Sequence, residues 1–548
     1  MRESLCILLA SGLAVSAFAQ PAHHIAPANQ SERRATQAFE SAKALSPLAL
    51  HSFLERMPKG ADLHMHLSGA IYAETFIKDA AEDNLCVDPI KLAFAKSIGT
   101  DTPNPTCAPD NVLAATAFKN QHLYDALVDS FSMRAYVPTP GHTGHDQFFD
   151  TFEKFGGIAK THKGEWLDEV ASRAAAQNEQ YLEIMETPTF SKAAALGYKL
   201  GWPTAPTPRI VTTAATSVPD DTTGTLPAEL ADLRDKLLAS GLKDEVVTDR
   251  AEFAKALADR RQIEHCGTPT AAPACAVQIR FLYQVLRAFP AQQVFAQTLL
   301  AFEVADAELA SGPNANVVGL NFVQPEDNYM AMSEYHRQML MLDYLHSVYP
   351  RVHISLHAGE LAPGMVPPAG LSFHIRQAVE LGHAERIGHG VDVMYETDSK
   401  GLLKELADKH IMVEINLTSN DGILGVSTNY HSLPAYRAAH VPTAFSTDDE
   451  GVSRIDLTHE YARAVKDFNL TYPDLKRSAR TSLEHSFLPG PSLWAHPDDF
   501  TTLNFACIGQ AIGSPTTTFV CGSFLKSSPR AAQQWELEHR FQLFESSL

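Results

Sequence analysis

The sequence predicts an α/β fold, a (β/α)8 TIM barrel with an N-terminal helical extension and an inserted lobe after strand 1. Eight apolar, strand-like runs follow one another along the chain, and helical patterns lie between them. Several runs are continuously apolar, which is typical of parallel strands buried on both faces. A chain of 548 residues is also long enough for a large barrel that carries insertions.

The boundaries of the predicted parts follow from where these runs begin and end. We place a signal peptide at residues 1–19, the helical extension at 20–56, the barrel at 57–490 with an insertion at about 68–178, and a C-terminal extension at 491–548. The predicted strands are 61–67, 180–186, 294–302, 317–323, 352–357, 386–391, 411–416 and 442–446. Helices are predicted over 32–45 with Ser31 as its cap, and over 46–56, 334–348, 371–381, 401–409 and 533–544.

The N-terminus has the pattern of an export leader. Arg2 supplies a positive charge, residues 5–15 form an apolar core, and residues 17–19 (AFA) fit a cleavage site after Ala19. A short membrane anchor is the alternative, but the apolar run is too short to span a bilayer. We therefore expect an exported, soluble protein that is periplasmic or secreted after signal-peptide cleavage.

Two connections are longer than a barrel needs. The first, residues 68–178, carries an aromatic cluster and is interpreted as an inserted lobe with helices over the barrel mouth. The second, residues 187–293, contains a Pro/Thr/Ala-rich stretch at 203–227 that predicts an exposed loop. The N-terminal extension could cover the barrel or form a dimer contact, so a homodimer is one of two alternatives.

The cysteines favour disulfide bonds. Six remain once Cys6 leaves with the leader, and an even number in an exported chain is typical of a disulfide framework. They form three sequence-local couples, so the simplest pairing is Cys86–Cys107, Cys266–Cys275 and Cys507–Cys521. Free buried thiols are the alternative, and the absence of a C-x-x-C pattern argues against metal ligation.

Charge excludes some classes of partner. The formal net charge is -20 and no Lys/Arg run stands out, which argues against nucleic acid or anionic membrane. A hydrophobic fraction of 45% with 20% charged residues is typical of a globular protein.

Histidines and acids follow four of the strand-like runs and predict a metal site. Residues i and i+2 of a strand point the same way, so His64 and His66 project together toward the barrel axis. His357 and Asp448 complete a set of three nitrogens and one oxygen, which suits one Zn2+ per chain with a position left for water. Among 24 histidines one H-x-H pattern could arise by chance, but four pieces in barrel order make chance a weak explanation.

These segments resemble a known family. Residues 57–67 (MPKGADLHMHL), 355–360 (SLHAGE), 386–390 (RIGHG) and 446–449 (STDD) are similar to the adenosine deaminase family of the metal-dependent amidohydrolase superfamily. The leader, the extension, the lobe, residues 131–134 (FSMR) and 416–420 (NLTSN) resemble its secreted branch, the adenosine deaminase-related growth factors. The similarity covers about residues 32–487, and the H-x-E with P-C-x-x-C pattern of the other zinc deaminases is absent.

The resemblance implies zinc-dependent hydrolytic deamination of adenosine, and of 2'-deoxyadenosine, to inosine and ammonia. His64, His66, His357 and Asp448 would bind zinc. Glu360 would protonate purine N1, His389 would orient or deprotonate the attacking water, and Asp449 would hydrogen-bond N7. An ordinary helix N-cap is the alternative for Asp449.

The sequence departs from the family pattern near the expected ribose and base contacts. Ser68 stands where relatives often carry a ribose-contacting aspartate, and Asn321 stands where they often carry aspartate. Gln324 occupies a glycine position, where its side chain could narrow the pocket or the alignment could slip by one residue. Glu186 is a candidate for binding ribose hydroxyls, with a surface-loop carboxylate as the alternative.

Two other functions are kept as alternatives. One is deamination of another aminopurine nucleoside or nucleotide, although no basic cluster marks a phosphate pocket. The other is a non-catalytic extracellular protein that binds nucleosides or signals, although binding alone requires neither Glu360 nor His389. In either case the predicted ligand is a small-molecule purine.

Overall fold

The computed structural model describes residues 30–98, 106–158, 160–188, 190–202 and 226–548. The predicted signal peptide, and all but the last two residues of the predicted loop at 203–227, lie outside the described residues.

Eight parallel strands form the predicted (β/α)8 barrel. In chain order, β1 to β8 are Gly60–His66, Glu179–Glu186, Gln278–Leu286, Val317–Val323, His353–Ala358, Arg386–His389, Met412–Ile415 and Thr443–Phe445. Each strand pairs in parallel with the next in this series. The ring closes where the Asp448 amide donates to the His64 carbonyl at 2.8 Å and the His66 amide donates to the Asp448 carbonyl at 3.2 Å. Closure therefore takes place beside three of the predicted metal ligands.

The third predicted strand is wrong. Residues 294–302 lie inside the helix Ala291–Ala310, and the third strand is β3, at Gln278–Leu286. That helix is buried on almost every side because it packs against β3, β4 and the helices Phe190–Leu200 and Tyr329–Val348. A helix without a polar face has the same continuous apolar pattern as a buried strand. The β3 segment contains polar residues such as Arg280 and Gln284, so it lacks the continuous apolar pattern by which the other strands were predicted.

The other predicted elements are present with small shifts at their ends. Ser31 is not a cap, because the first helix already includes Gln30, whereas the Ser46 side chain does cap the second helix. The α-helices are Gln30–Leu45, Pro47–Arg56, Leu67–Ala70, Ala73–Glu82, Gln121–Ser130, Gly144–Lys154, Lys163–Ala176, Phe190–Leu200, Leu226–Leu237, Lys243–Ile263, Ala291–Ala310, Tyr329–Val348, His374–Glu380, Ser399–Asp408, Leu417–Leu424, Leu433–Ala438, Glu450–Ser453, Leu457–Phe468, Tyr472–Glu484, Phe519–Ser527 and Pro529–Ser546. Short 3-10 turns occupy Ala114–Lys119, Lys160–His162, Pro273–Ala276, Pro368–Leu371, Val393–Tyr395, Thr428–Tyr430 and Phe505–Cys507, and a π turn occupies Leu238–Leu242.

The lobe after β1 has its own small sheet. Three short antiparallel strands, Cys86–Asp88, Ala93–Ala95 and Val112–Leu113, are followed by the helices Gln121–Ser130 and Gly144–Lys154. The lobe meets the barrel loops at the strand ends, where the Met133 amide donates to the Val452 carbonyl at 2.8 Å. The helix Gly144–Lys154 also packs against the helix Leu417–Leu424, which follows β7.

All three predicted disulfides are confirmed. The bonded pairs are Cys86–Cys107, Cys266–Cys275 and Cys507–Cys521. The first pair ties the first strand of the lobe sheet to the segment between its second and third strands, and the third pair lies within the C-terminal extension.

The two terminal extensions pack together on the outside of the barrel. Phe39 and Phe53 from the N-terminal helices contact Tyr472 and Phe544, with ring centroids 5.2 to 6.5 Å apart. One face of the N-terminal extension thus packs against its own chain, and a homodimer stays a prediction. No helix within the described ranges is long and apolar enough to cross a membrane.

Candidate active site

The four predicted metal ligands meet at the carboxyl ends of the strands. His357 Nε2 lies 3.1 Å from His64 Nε2 and 3.2 Å from His66 Nε2. Asp448 Oδ1 lies 3.3 Å from His66 Nε2 and 3.6 Å from His64 Nε2. All four side chains are buried. The arrangement brings three imidazole nitrogens and one carboxylate oxygen to a common point.

A second group orients each of the three histidines. His64 Nδ1 donates to Glu414 at 2.6 Å, His66 Nδ1 to Gln284 at 2.6 Å, and His357 Nδ1 to Asn321 at 2.8 Å. Placing the hydrogen on Nδ1 leaves each Nε2 lone pair directed at the cluster, as in metal sites whose histidines are held from behind.

Sequence reasoning did not single out Glu414 or Gln284. The available signal was a polar residue in the middle of an otherwise apolar strand, which has to face a partner in the barrel interior. Asn321 stands where the family often carries aspartate. Its side-chain oxygen still accepts the hydrogen bond from His357, as an aspartate oxygen would.

The donor set fits a metal ion. Zinc bound by nitrogen at about 2.0–2.1 Å in a tetrahedron sets neighbouring ligand atoms about 3.3 Å apart, which is close to the separations above. Burial lowers the pKa of His64, but its hydrogen bonds to Asp448 and Glu414 outweigh burial and raise that pKa to about 10. The carboxylates of Asp448 and Glu414 therefore favour a positive charge at the histidine cluster. His389 is a further candidate ligand, since its ring, the rings of His64 and His357 and the Asp448 carboxylate offer ligand atoms within 4.8 Å of one another.

The predicted acid and base lie beside the cluster. His389 Nε2 is 3.8 Å from Glu360 Oε1 and 3.7 Å from Asp448 Oδ2, and His389 Nδ1 donates to Asn420 at 2.9 Å. Burial lowers the pKa of His389 to about 4, so its Nε2 can accept a proton at neutral pH. Burial, together with the charges of Asp448 and Glu326, raises the pKa of Glu360 to about 8, so its carboxyl group can donate one. Because the site raises the pKa of Glu360 and lowers that of His389, Glu360 is suited to act as the acid and His389 as the base.

Asp449 is directed into the same region. It occupies the N-cap position of the helix Glu450–Ser453, but its side chain makes no cap hydrogen bond. Its Oδ1 has no hydrogen-bond partner within the described part of the chain, although the residue is buried. Burial and the neighbouring Asp448 raise the pKa of Asp449 well above its ordinary range, so the group can donate a hydrogen bond. A Cβ on Gly69 would lie 1.4 Å from Asp449 Oδ1, so Gly69 is a site residue that sequence reasoning missed.

The residues predicted to contact the ribose and the base are Ser68, Glu186 and Gln324, and the described contacts of Glu186 and Gln324 are with residues outside the metal cluster. Ser68 is half-buried in the short helix Leu67–Ala70. Glu186 ends β2 and pairs with Lys163, which also binds Glu252 at 2.8 Å. Gln324 has a φ of 85°, a conformation that favours glycine, and its side chain accepts from the Ala288 amide at 2.9 Å. Their roles toward a substrate stay predictions.

Glu414→Gln is expected to weaken metal binding by about 10–100-fold, the usual cost of losing a group that orients a ligand histidine. Glu414 joins His64 to the buried Arg386, whose Nε donates to it at 2.6 Å. An amide can satisfy one of these two donors but not both. Chelator competition measures the affinity, and Glu183→Gln is the matched control, since Glu183 binds the same arginine at 2.7 Å and has no contact with His64 among its described partners. Equal zinc affinity in both variants would contradict the assignment.

Comparison with known proteins agrees with this geometry. The family model for adenosine deaminase matches residues 261–494. An adenosine deaminase of Clostridium perfringens is 33% identical over 135 residues, which is 24% of this chain and 37% of that protein. An adenosine deaminase of Escherichia coli is 35% identical over 137 residues, which is 25% of this chain and 38% of that protein. The chain thus matches little more than a third of the length of these curated relatives.

A solved structure of similar fold is an amidohydrolase from Burkholderia ambifaria with bound zinc. It is 14% identical, covers 91% of this chain and 94% of its own, and has a TM-score of 0.51, which supports the fold. The chain therefore shares the barrel fold of this amidohydrolase. Over residues 261–494 the chain is similar to the adenosine deaminase family. The secreted branch of the family stays a prediction.

Proposed function

We propose that this protein is a zinc-dependent deaminase that converts adenosine, and 2'-deoxyadenosine, to inosine and ammonia. The observation that carries the proposal is the pairing of Glu360, whose buried carboxyl group holds a proton, with His389, which stays neutral, across the histidine–aspartate cluster. The matched relatives are adenosine deaminases, and the Burkholderia structure contains zinc.

His64, His66, His357 and Asp448 would hold the zinc ion. Bound zinc lowers the pKa of water to about 7 and so supplies a nucleophile at neutral pH. Three nitrogens and one carboxylate oxygen are the ligands that zinc prefers, and their spacing leaves room for one ion.

The chain's own residues account for the proton transfers. Glu360 gives its proton to purine N1, which makes C6 electrophilic. His389 Nε2 accepts a proton from the water that attacks C6, and the C6–N6 bond breaks as that proton reaches the departing ammonia. The remaining hydroxyl proton returns to Glu360 as the C6 carbonyl forms, so the N1–H of inosine is the proton that Glu360 donated.

Asp449 and the burial of the site favour a purine. A protonated Asp449 can donate to N7, which is an acceptor, and its unpartnered Oδ1 is available for that contact. Glu360 is 7% exposed and His389 is fully buried, so the charges that develop on the ring are screened little by water.

We also propose that the protein is exported. The support is the leader-like pattern of residues 1–19 and the three disulfide bonds, which persist in oxidising compartments. Sequencing the N-terminus of the protein recovered from the exported fraction tests this, and a chain that begins at Met1 there would contradict cleavage after Ala19.

The test of function compares adenosine, 2'-deoxyadenosine, adenine and adenosine monophosphate by ultraviolet absorbance change. We expect the two nucleosides to react fastest, with about one zinc per chain by the ligand count, and chelator treatment to abolish the reaction until zinc is restored. Faster reaction of the monophosphate would favour the nucleotide alternative. No reaction with any purine in zinc-loaded protein would favour a non-catalytic binding protein, and two metals per chain would contradict the mononuclear site.

A further inference from the structure

We propose that Glu326 is a positioning residue for Glu360. It would hold the turn between the metal ligand His357 and Glu360 so that the acid faces N1. The inference rests on the proposed function for its kinetic part, and on the geometry of the turn for the rest.

One carboxylate binds two successive amides of this turn. Glu326 Oε1 accepts from the Gly359 amide at 3.1 Å, and Oε2 accepts from the Glu360 amide at 2.7 Å. Gly359 has a φ of 75°, and a Cβ there would lie 2.4 Å from Asp392 Oδ1. The backbone of this turn is therefore packed closely against Asp392 and is also held by the two hydrogen bonds to Glu326.

Two buried side chains fix Glu326 in turn. His374 Nδ1 lies 2.7 Å from Glu326 Oε1, and Arg287 Nη2 lies 3.9 Å from Oε2. Burial raises the pKa of Glu326, but His374 and Arg287 outweigh it and lower that pKa to about 2, so the group is ionised. All three side chains are at most 1% exposed.

Arg287 connects this group to the metal site. Its Nη1 donates to the His357 carbonyl at 3.1 Å and its Nε donates to the Gln324 carbonyl at 3.1 Å. The backbone of the ligand His357 and the backbone of the acid Glu360 are thus held by one buried ion pair. Catalytic groups must be held within about 0.5 Å of their productive positions, and this arrangement gives Glu360 such a support.

Substitution separates positioning from simple folding. Glutamine at position 326 can accept from one amide only, and its own amide group opposes the second donor. It also leaves Arg287 with less charge compensation, which is costly for a buried ion. Aspartate keeps the charge but is one methylene shorter. Glu326→Asp should therefore keep the ion pairs while its hydrogen bonds to the Gly359 and Glu360 amides become weaker.

The experiment measures kcat, KM, zinc content and amide hydrogen exchange in Glu326→Gln and Glu326→Asp. We expect kcat for adenosine to fall by about 10–100-fold, as for other groups that orient a functional residue, with KM and zinc content little changed. Exchange at the Gly359 and Glu360 amides should become faster. Glu308→Gln is the matched control, because Glu308 is a buried carboxylate that accepts from the Asn316 amide at 2.8 Å and from Arg250 at 2.7 Å, away from the site.

An unchanged kcat in both Glu326 variants would overturn the proposal, as would equal loss of kcat in Glu308→Gln. If Glu326→Gln does not fold, Glu326→Asp decides by the same measurements. A wild-type protein that carries zinc but deaminates no purine overturns the proposed function. Amide exchange then decides the turn separately, and unchanged exchange in Glu326→Asp overturns that part as well.

Discussion

Glu360→Gln is expected to lower the turnover of adenosine by about 10²–10⁴-fold or more, the range of general acid–base catalysis. Glutamine has the size of glutamate and can hydrogen-bond N1, but it cannot transfer a proton. Since each factor of ten in rate corresponds to about 1.36 kcal/mol of barrier, the loss amounts to about 3–5 kcal/mol. Zinc content should stay the same because Glu360 is not one of the four ligands.

Glu396→Gln is the matched control for this variant. Glu396 is also a buried carboxylate, with a pKa raised to about 7 by burial, and it accepts from the Ile375 amide at 2.6 Å outside the metal cluster. Turnover and zinc are measured for both variants. If Glu360→Gln keeps its zinc and more than about a tenth of wild-type turnover, its effect falls below the acid–base range and the proton-donor role is wrong.

The strand ends and the histidine–aspartate cluster could be predicted because the signal is local. H-x-H on a strand places two side chains on one face, and His357 and Asp448 each follow a short apolar run. Glu360, His389 and Asp449 lie beside the cluster, and the roles assigned to them stay predictions.

The supporting residues could not be predicted because their partners are distant in sequence. Gln284 contacts His66 218 positions away, and Glu414 contacts His64 350 positions away. Such contacts depend on the order and register of barrel strands, and the misplaced third strand removed Gln284 from consideration. Gly69 was hidden for a related reason, since the need for glycine comes from Asp449, which is close in space but distant in sequence.

The departures at Asn321 and Gln324 have a common structural context. Asn321 lies within β4, and Gln324 follows the last residue of that strand. Both contact other segments of the site: Asn321 orients His357, and the Gln324 carbonyl accepts from Arg287. Gln324 keeps the positive φ expected of a glycine position. The backbone thus keeps its conformation while the side chain is tied to Ala288.

His357→Ala is expected to remove both the zinc and the activity. His357 Nε2 is the point that joins the cluster, at 3.1 Å from His64 and 3.2 Å from His66. Alanine leaves two imidazoles and a carboxylate around a buried cavity, so the loss of zinc affinity should exceed the about 10–100-fold typical of an outer partner. Elemental analysis after dialysis, together with turnover, measures both effects.

The control for His357→Ala is another histidine on the same strand. His353 begins β5, is 29% exposed at its side chain, and pairs with Glu385 at 2.8 Å at the opposite end of the barrel. His353→Ala should keep zinc and turnover, because active sites of these barrels lie at the carboxyl ends of the strands. Glu360→Gln completes the comparison, since it should lose turnover while it keeps zinc. A His357→Ala protein that retains a full equivalent of zinc would place the metal elsewhere, and His389 would then be the first ligand to test, because its donor atoms also lie within range of the cluster.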